Sequence, residues 1–282
     1  MNELTRKQRF KNWLALPGGW GIMIGSIMFA AIVIMGILIP IFGPFKPNAF
    51  VGDPSMAPSF KHPFGLDQLG RDVMSRTFAS VWIDIGVSFF GVTIPLVIGT
   101  IIGILLGVTK IKVIRSVVSS IIDGINAFPL LVVAVAMLAF FGAGLKSVII
   151  ILSITNWARY ARIARTRAVV VSQQNYIEAA RTLGYSKSRI VVKHIAPNVS
   201  AESVAYALSD FIIVITVISG LSFLGLAARP PAAEWGSMIA DGRAYLANGW
   251  WMVIFPGLAL CWAAISLSFI VEGMSRRDRG NS

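Results

Sequence analysis

Tyr176-Ile177-Glu178-Ala179-Ala180-Arg181-Thr182-Leu183-Gly184 lies at the centre of the longest polar segment in the chain, residues 159–197. That segment carries Arg159, Arg162, Arg165, Arg167, Arg181, Lys187, Arg189 and Lys193 against a single acid, Glu178. Local chemistry divides it in two. Ser172 is placed to cap a helix running through Gln174, Ile177, Glu178, Ala180 and Arg181. Gly184 falls where that helix should end, because glycine accepts the left-handed conformation there. Ser186 is placed to cap a second short helix through Ile190 and His194, and Pro197 is expected to interrupt the chain before the next apolar run. Glu178 sits near the first helix's start, where the macrodipole favours a negative charge. Ala179 and Ala180 leave one face shallow enough to seat another protein. The pair suits a docking element exposed to water; an amphipathic linker lying on a membrane fits the same features.

Working outward, the rest is strongly apolar. Of 282 residues, 56% are hydrophobic and 13% charged, against about 45–50% and 25% in soluble domains. The excess is gathered in runs of bilayer-spanning length, roughly 20 residues each. Six are expected: 20–43, 81–108, 116–141, 145–163, 203–226 and 251–272. The first follows Arg6, Lys7, Arg9 and Lys11. It exceeds the about 7–15 apolar residues of a signal peptide, so it reads as a retained helix. The expected fold is an all-α membrane bundle: a segment 1–19, a first helix 20–43, a loop 44–80, a five-helix core 81–272 containing the segment 159–200, and a tail 273–282.

Lys and Arg accumulate on the cytoplasmic side of membrane proteins. With six spans, one side receives the N-terminus, the 109–115 loop with Lys110, Lys112 and Arg115, the 159–200 segment, and Arg276, Arg277 and Arg279. The other side has only scattered bases: Lys46, Lys61, Arg71, Arg76, Lys146, Arg229 and Arg243. Both termini and the organising segment are therefore expected in the cytoplasm. The net charge of +12 is absorbed by lipid headgroups and cytosol, which excludes nucleic acid as a partner. Loop 44–80 is broken by Pro44, Pro47, Pro54, Pro58 and Pro63. Trp235, Trp250 and Trp251 suit an interfacial aromatic belt. Pro40, Pro95, Pro129 and Pro256 are kink positions. Gly99, Gly103 and Gly107 form a small-residue face for close helix packing.

Glu178-Ala179-Ala180 followed by Gly184 and Pro197 resembles the EAA loop of ABC-importer permeases. His194 and Ala196 stand where the general pattern has Ile and Leu, but the His-Ile-x-Pro-Asn ending is similar to the dipeptide/oligopeptide/nickel branch. Three further stretches resemble that branch: His62-Pro-Phe-Gly-Leu-Asp-Gln-Leu-Gly-Arg-Asp-Val73; Leu221-Ser-Phe-Leu-Gly-Leu226 with Pro230-Pro231 and Glu234-Trp-Gly236; and Trp250-Trp251 with Phe255-Pro256-Gly257. Two departures stand out. Ile218 replaces a carboxylate often found before the Ser-Phe-Leu-Gly-Leu run, and the tail Glu272-Gly273-Met274-Ser275-Arg276-Arg277 lacks the usual ending.

The resemblance implies a type I importer permease, the second permease type of its branch, in a bacterial inner membrane. Tyr176, Glu178, Ala179, Ala180, Arg181, Gly184 and Pro197 would couple to an ATPase. Implied partners are a second, homologous permease, two ATP-binding subunits, an extracytoplasmic solute-binding protein and membrane lipids. ATP and magnesium would sit on the ATPase subunits, with no cofactor on this chain. Peptides are the first substrate class implied and nickel or a metal chelate the second. A non-transport scaffold using the helix pair to recruit another partner is the rival class.

An enzyme is not expected. The chain has no Gly-x-x-x-x-Gly-Lys-[Ser/Thr] phosphate loop and no His-Glu-x-x-His. Its two histidines, His62 and His194, fall on opposite sides of the expected bilayer, and Cys261 is the sole cysteine. Intramembrane ionisable groups are functional candidates because charge at mid-bilayer is costly. Asp123, Asn126 and Asp210 are candidates for a translocation path, with pairing inside the bundle as the other reading for the two acids. Asp84 and Glu202 are expected at solvated span ends. Arg159, Arg162 and Arg165 share a helical face and are expected to snorkel to the inner leaflet.

Overall fold

A computed structural model describes residues 16–280; the basic cluster Arg6, Lys7, Arg9 and Lys11 lies outside them. The described residues are helical, with two isolated bridges, Phe50 with Arg71 and Leu66 with Asp72, and no strand. In chain order the helices are α1 Gly19–Phe42, α2 Val73–Val108, α3 Lys112–Ala127, α4 Leu130–Phe141, α5 Leu145–Ser172, α6 Asn175–Thr182, α7 Lys187–Ile190, α8 Ala196–Phe223, α9 Trp235–Gly242, α10 Leu246–Gly249 and α11 Trp251–Gly280. A π turn, Val191–Ile195, joins α7 to α8, and a 3-10 turn, Arg243–Tyr245, joins α9 to α10.

Four stretches are long and apolar enough to cross a membrane: Gly19–Phe42, Val73–Val108, Lys187–Phe223 and Trp251–Arg277. The pair α3 and α4 makes a fifth if counted as one broken span. The third expected span, 116–141, is not one helix: its halves meet at 93°. Phe128 is extended (φ −96°, ψ 138°), as the ring of Pro129 requires of the residue before it. Helix α5 has the length to span, but Lys146 and its arginines dilute its apolar content.

The chain divides into two compact units, one comprising Met1–Gly86 with Ile215–Ser282 and the other Val87–Val214. In the first unit, α1 and α11 pack antiparallel along small residues. A methyl placed on Gly25 would meet the carbonyl of Ser266 at 2.5 Å, and Gly18 lies against Gly273. Trp262 Nε1 donates to the Met28 carbonyl at 3.0 Å, and Trp82 Nε1 to that of Gly36 at 2.9 Å. Helix α2 starts at Val73, eight residues ahead of the expected span, because Asp72 caps it: its carboxylate accepts from Ser75 N–H at 2.7 Å. Its other oxygen lies 2.9 Å from His62 Nδ1.

The tryptophans correct the belt expectation. Trp235 and Trp251 are buried. Their indole N–H groups donate to the carbonyls of Thr77 (2.8 Å) and Leu66 (3.0 Å); of these three, Trp250 is the exposed one. Asp84 is likewise fully buried rather than solvated. Since α2 begins early, Asp84 lies inside it, and its carboxylate accepts from Trp235 N–H at 3.2 Å. Glu234 caps the same end of α9, accepting from Gly236 (3.0 Å) and Ser237 (2.7 Å).

In the second unit, α2 and α5 run parallel and in step. Gly91 meets Leu152, Gly99 meets Tyr160, Gly103 meets Ala164 and Gly107 meets Ala168. The glycine stripe is therefore a helix-packing seam, as small residues at four-residue spacing allow. Gly103 is in the middle of the seam. A methyl there would lie 2.5 Å from the Ala161 carbonyl oxygen and 2.6 Å from the Ala164 Cβ. Gly103→Leu should lower stability by about 2–3 kcal/mol through overpacking. It should reduce the detergent-resistant folded fraction on heating, whereas Gly257→Ala, with nothing within 4 Å, should not.

Candidate functional site

Helix α6 is short, and burial holds it in place. Ile177 and Ala180 are buried with Ile104 of α2, Ala164, Ala168 and Val171 of α5, and Ile190, Ile195 and Val199 of the following helices. Residues three apart share a helical face, so Ile177 and Ala180 point inward together. Glu178, Ala179 and Arg181 point out. This corrects the expectation for the alanine pair: Ala179 faces water, whereas Ala180 fills space against α5.

Ser172 is not the cap of α6. It closes α5, with its hydroxyl donating to the Val169 carbonyl at 2.8 Å, and Gln174 takes the cap position without a side-chain bond. The other end follows the expectation. Gly184 is left-handed (φ 79°). Its N–H bonds the Arg181 carbonyl at 3.0 Å, and Tyr185 N–H bonds that of Ala180 at 3.1 Å. These two bonds are the Schellman closure, which satisfies the last carbonyls of a helix. Ser186 then caps α7, accepting from Arg189 N–H at 3.4 Å.

Pro197 does not interrupt the chain. It lies inside a continuous helix running over Lys187–Phe223. A proline there lacks one N–H and crowds the preceding turn. The π turn just before it widens that turn: Ala196 N–H reaches back to the Val191 carbonyl. Asn198 Nδ2 donates to the His194 carbonyl at 2.7 Å. His194 itself lies near two aromatic rings, 6.4 Å from Tyr176 and 6.3 Å from Tyr185 between centroids. The result is a water-facing surface of Tyr176, Glu178, Ala179, Arg181 and Leu183 on a firmly packed base. Leu183 is 74% exposed and went unnoticed in the sequence, although an apolar residue beside a helix-ending glycine was the available signal.

The three path candidates do not gather in one place. Asp123 is exposed and pairs with Arg162 at 2.7 Å. Asp210 is buried; it accepts from Tyr160 Oη at 2.8 Å and lies 3.9 Å from Arg159. Asn126 lines a cavity of about 320 Å³ beside the break between α3 and α4, together with Asn156 and Arg159 and mainly apolar side chains. Asn156 was missed; a lone amide in an apolar run is its signal. The arginine face has partners within the protein. Arg159, Arg162 and Arg165 meet Asp210, Asp123 and the Ser119 hydroxyl, and Arg167 meets Glu202 at 3.1 Å. Carboxylates and one serine hydroxyl on neighbouring helices lie within reach of these groups.

Residues 99–279 match the family described as "Binding-protein-dependent transport system inner membrane component". The dipeptide transport system permease protein of Alkalihalophilus pseudofirmus is 32% identical over 273 residues, covering 95% of this chain and 86% of that protein. The glutathione transport system permease protein of Escherichia coli O6:K15:H31 is 33% identical, covering 89% and 84%. Among solved structures, a chain of an inward-facing methionine ABC transporter superposes with a TM-score of 0.59 at 22% identity, over 72% of this chain and 96% of its own. This last likeness is one of fold, that of the type I ABC importer permeases.

Opposite outcomes are expected for the two alanines. Ala180→Glu would bury an unpaired carboxylate, which costs several kcal/mol, and should release α6. Limited proteolysis of the membrane-embedded protein should then cleave near Tyr185 at least about tenfold faster. Ala179→Glu should leave the cleavage rate within about twofold of the parent.

Proposed function

The chain belongs to the family of binding-protein-dependent transport system inner membrane components, and we propose that it is the translocation subunit of an ATP-driven peptide importer. It is a multi-pass permease subunit with several apolar helices. On this reading α5 and the pair α3–α4 complete six spans with the four longer stretches. The antiparallel seam that sets Gly18 against Gly273 supports both termini lying on one side, the cytoplasmic one. The peptide assignment draws on relatives whose names specify dipeptides and glutathione.

The observation that carries the coupling role is the burial of Ile177 and Ala180 beneath an outward face of Glu178, Ala179 and Arg181. Such a helix presents a docking surface while its underside is packed against α2, α5 and the helix containing Pro197. A displacement applied to it reaches those helices as a rigid-body shift, because close-packed interiors do not deform continuously. Tyr176, Gly184 and Pro197 act by shaping the element; Glu178, Ala179 and Arg181 act by touching the ATPase. A second permease, two ATP-binding subunits carrying ATP and magnesium, and an extracytoplasmic binding protein complete the assembly. Asn126 contributes a polar group to the path side; Asp210 is tied to Tyr160 and Arg159, and Asp123 holds Arg162.

Glu178→Lys reverses the charge on the outward face without touching the buried base. In proteoliposomes holding the complete transporter, ATP hydrolysis stimulated by the loaded binding protein should fall about tenfold, the scale of a single interface hot spot. The subunits should still copurify. Unchanged hydrolysis would remove the coupling role from this face. Copurification of the wild-type chain without any subunit bearing a phosphate loop would favour a scaffold.

A further inference from the structure

The first unit contains a second cavity, of about 490 Å³, lined from within the stretches 68–76 and 222–243. That volume lies within the about 300–1,000 Å³ of small-molecule sites. Four guanidinium groups line it, those of Arg71, Arg76, Arg229 and Arg243, against one lining carboxylate, Asp241.

Two of these arginines form a fixed wall. Arg71 and Arg76 are 6% and 2% exposed. They share a single acid, Asp67, whose Oδ2 lies 2.6 Å from Arg71 Nε and 3.5 Å from Arg76 Nε. Arg76 also donates to Asn48 Oδ1 at 2.7 Å. The other two are exposed at the rim, and no carboxylate lies within ion-pair distance of either among the described residues. Arg243 rests over the Phe223 ring, 5.4 Å from its centroid.

Four arginines face two acids, Asp67 and Asp241, so the cavity carries excess positive charge. Low-dielectric walls focus such a field inward. Guanidinium groups are rigid forks matched to carboxylate geometry. The fixed pair lies in the wall of a concavity, within reach of a group that enters rather than of a surface that abuts. We infer that this cavity receives the terminal carboxylate of an incoming peptide, Arg229 and Arg243 gripping it as it leaves the binding protein. The inference rests on the peptide-importer reading, in which these stretches face the extracytoplasmic side.

The test uses the complete transporter in liposomes, alanyl-alanine as probe and its binding protein at saturating concentration. Wild type is compared with the Arg229→Gln/Arg243→Gln double variant. Uptake and co-sedimentation of the loaded binding protein are measured on the same preparation, and copurification of all subunits verifies assembly. The expected result is uptake lowered about tenfold, on the scale of losing one charge-assisted pair, with binding-protein affinity within about twofold of wild type. Uptake equal to wild type overturns the inference. A parallel loss of uptake and binding-protein affinity also overturns it, and gives the arginines to a protein interface instead. Absence of alanyl-alanine uptake by the wild-type complex is a different failure, since it removes the peptide reading and this inference with it.

Discussion

The structure of the second unit depends on one contact: the burial of Ile177 and Ala180 on a floor of small side chains. Helix α6 has eight residues, too few to be stable alone in water, where about 12–15 are marginal. It persists because Ile177 leaves water completely, worth about 1.5–3 kcal/mol, and because Gly184 closes its last turn. The floor in turn requires α2 and α5 to approach closely, which Gly99, Gly103 and Gly107 permit against Tyr160, Ala164 and Ala168. A larger residue anywhere on that seam would lift α5, and α6 would lose the surface it rests on. Glycines inside α2 and the exposed helix α6 are thus parts of one packing problem.

Much of this was legible in the sequence where a single local rule decides the outcome. Gly184 has a left-handed backbone because the helix closes there, and Ser186 caps as its position implied. The glycine stripe packs as its spacing required. Errors arose where tertiary partners override a local rule. Ser172 reads as an N-cap only if α5 has already stopped, and it has not. Pro197 reads as a break only if the preceding turn cannot widen, and the π turn widens it. Asp84 was assigned to a solvated end because hydropathy locates the apolar run and not the start of the helix. The start was encoded in Asp72, whose capping role is clear once Ser75 N–H is seen to need an acceptor.

The charged residues show the same division. Counting Lys and Arg along the chain gives an expected orientation in a bilayer, but it does not say which charges meet. Arg159, Arg162 and Arg167 find Asp210, Asp123 and Glu202, residues 51, 39 and 35 positions away. No spacing rule connects such distant positions. Among the path candidates, therefore, sequence marked polar residues within apolar runs but not the partners they meet. Asp210 is held by Tyr160 in a packed cluster, Asp123 pairs with Arg162 at an exposed position, and Asn126 borders the cavity beside the α3–α4 break.

That outcome bears on how a permease of this kind is built. Where a buried acid has a tyrosine hydroxyl and an arginine beside it, its charge is committed to the fold and little remains to select a solute. In the first unit Asp67 is committed in the same way, yet it serves two arginines at once, and Arg229 and Arg243 add positive charge that Asp241 offsets only in part. Close-packed regions transmit displacement; regions of unbalanced charge attract ligand. In this chain the two tasks fall to different stretches: the glycine–alanine seam under α6 carries the mechanical role proposed for it, and the arginine-lined cavity on the loops carries the chemical one. Separating them lets residues at the receiving cavity change without altering the seam, because no side chain that lines the cavity belongs to it.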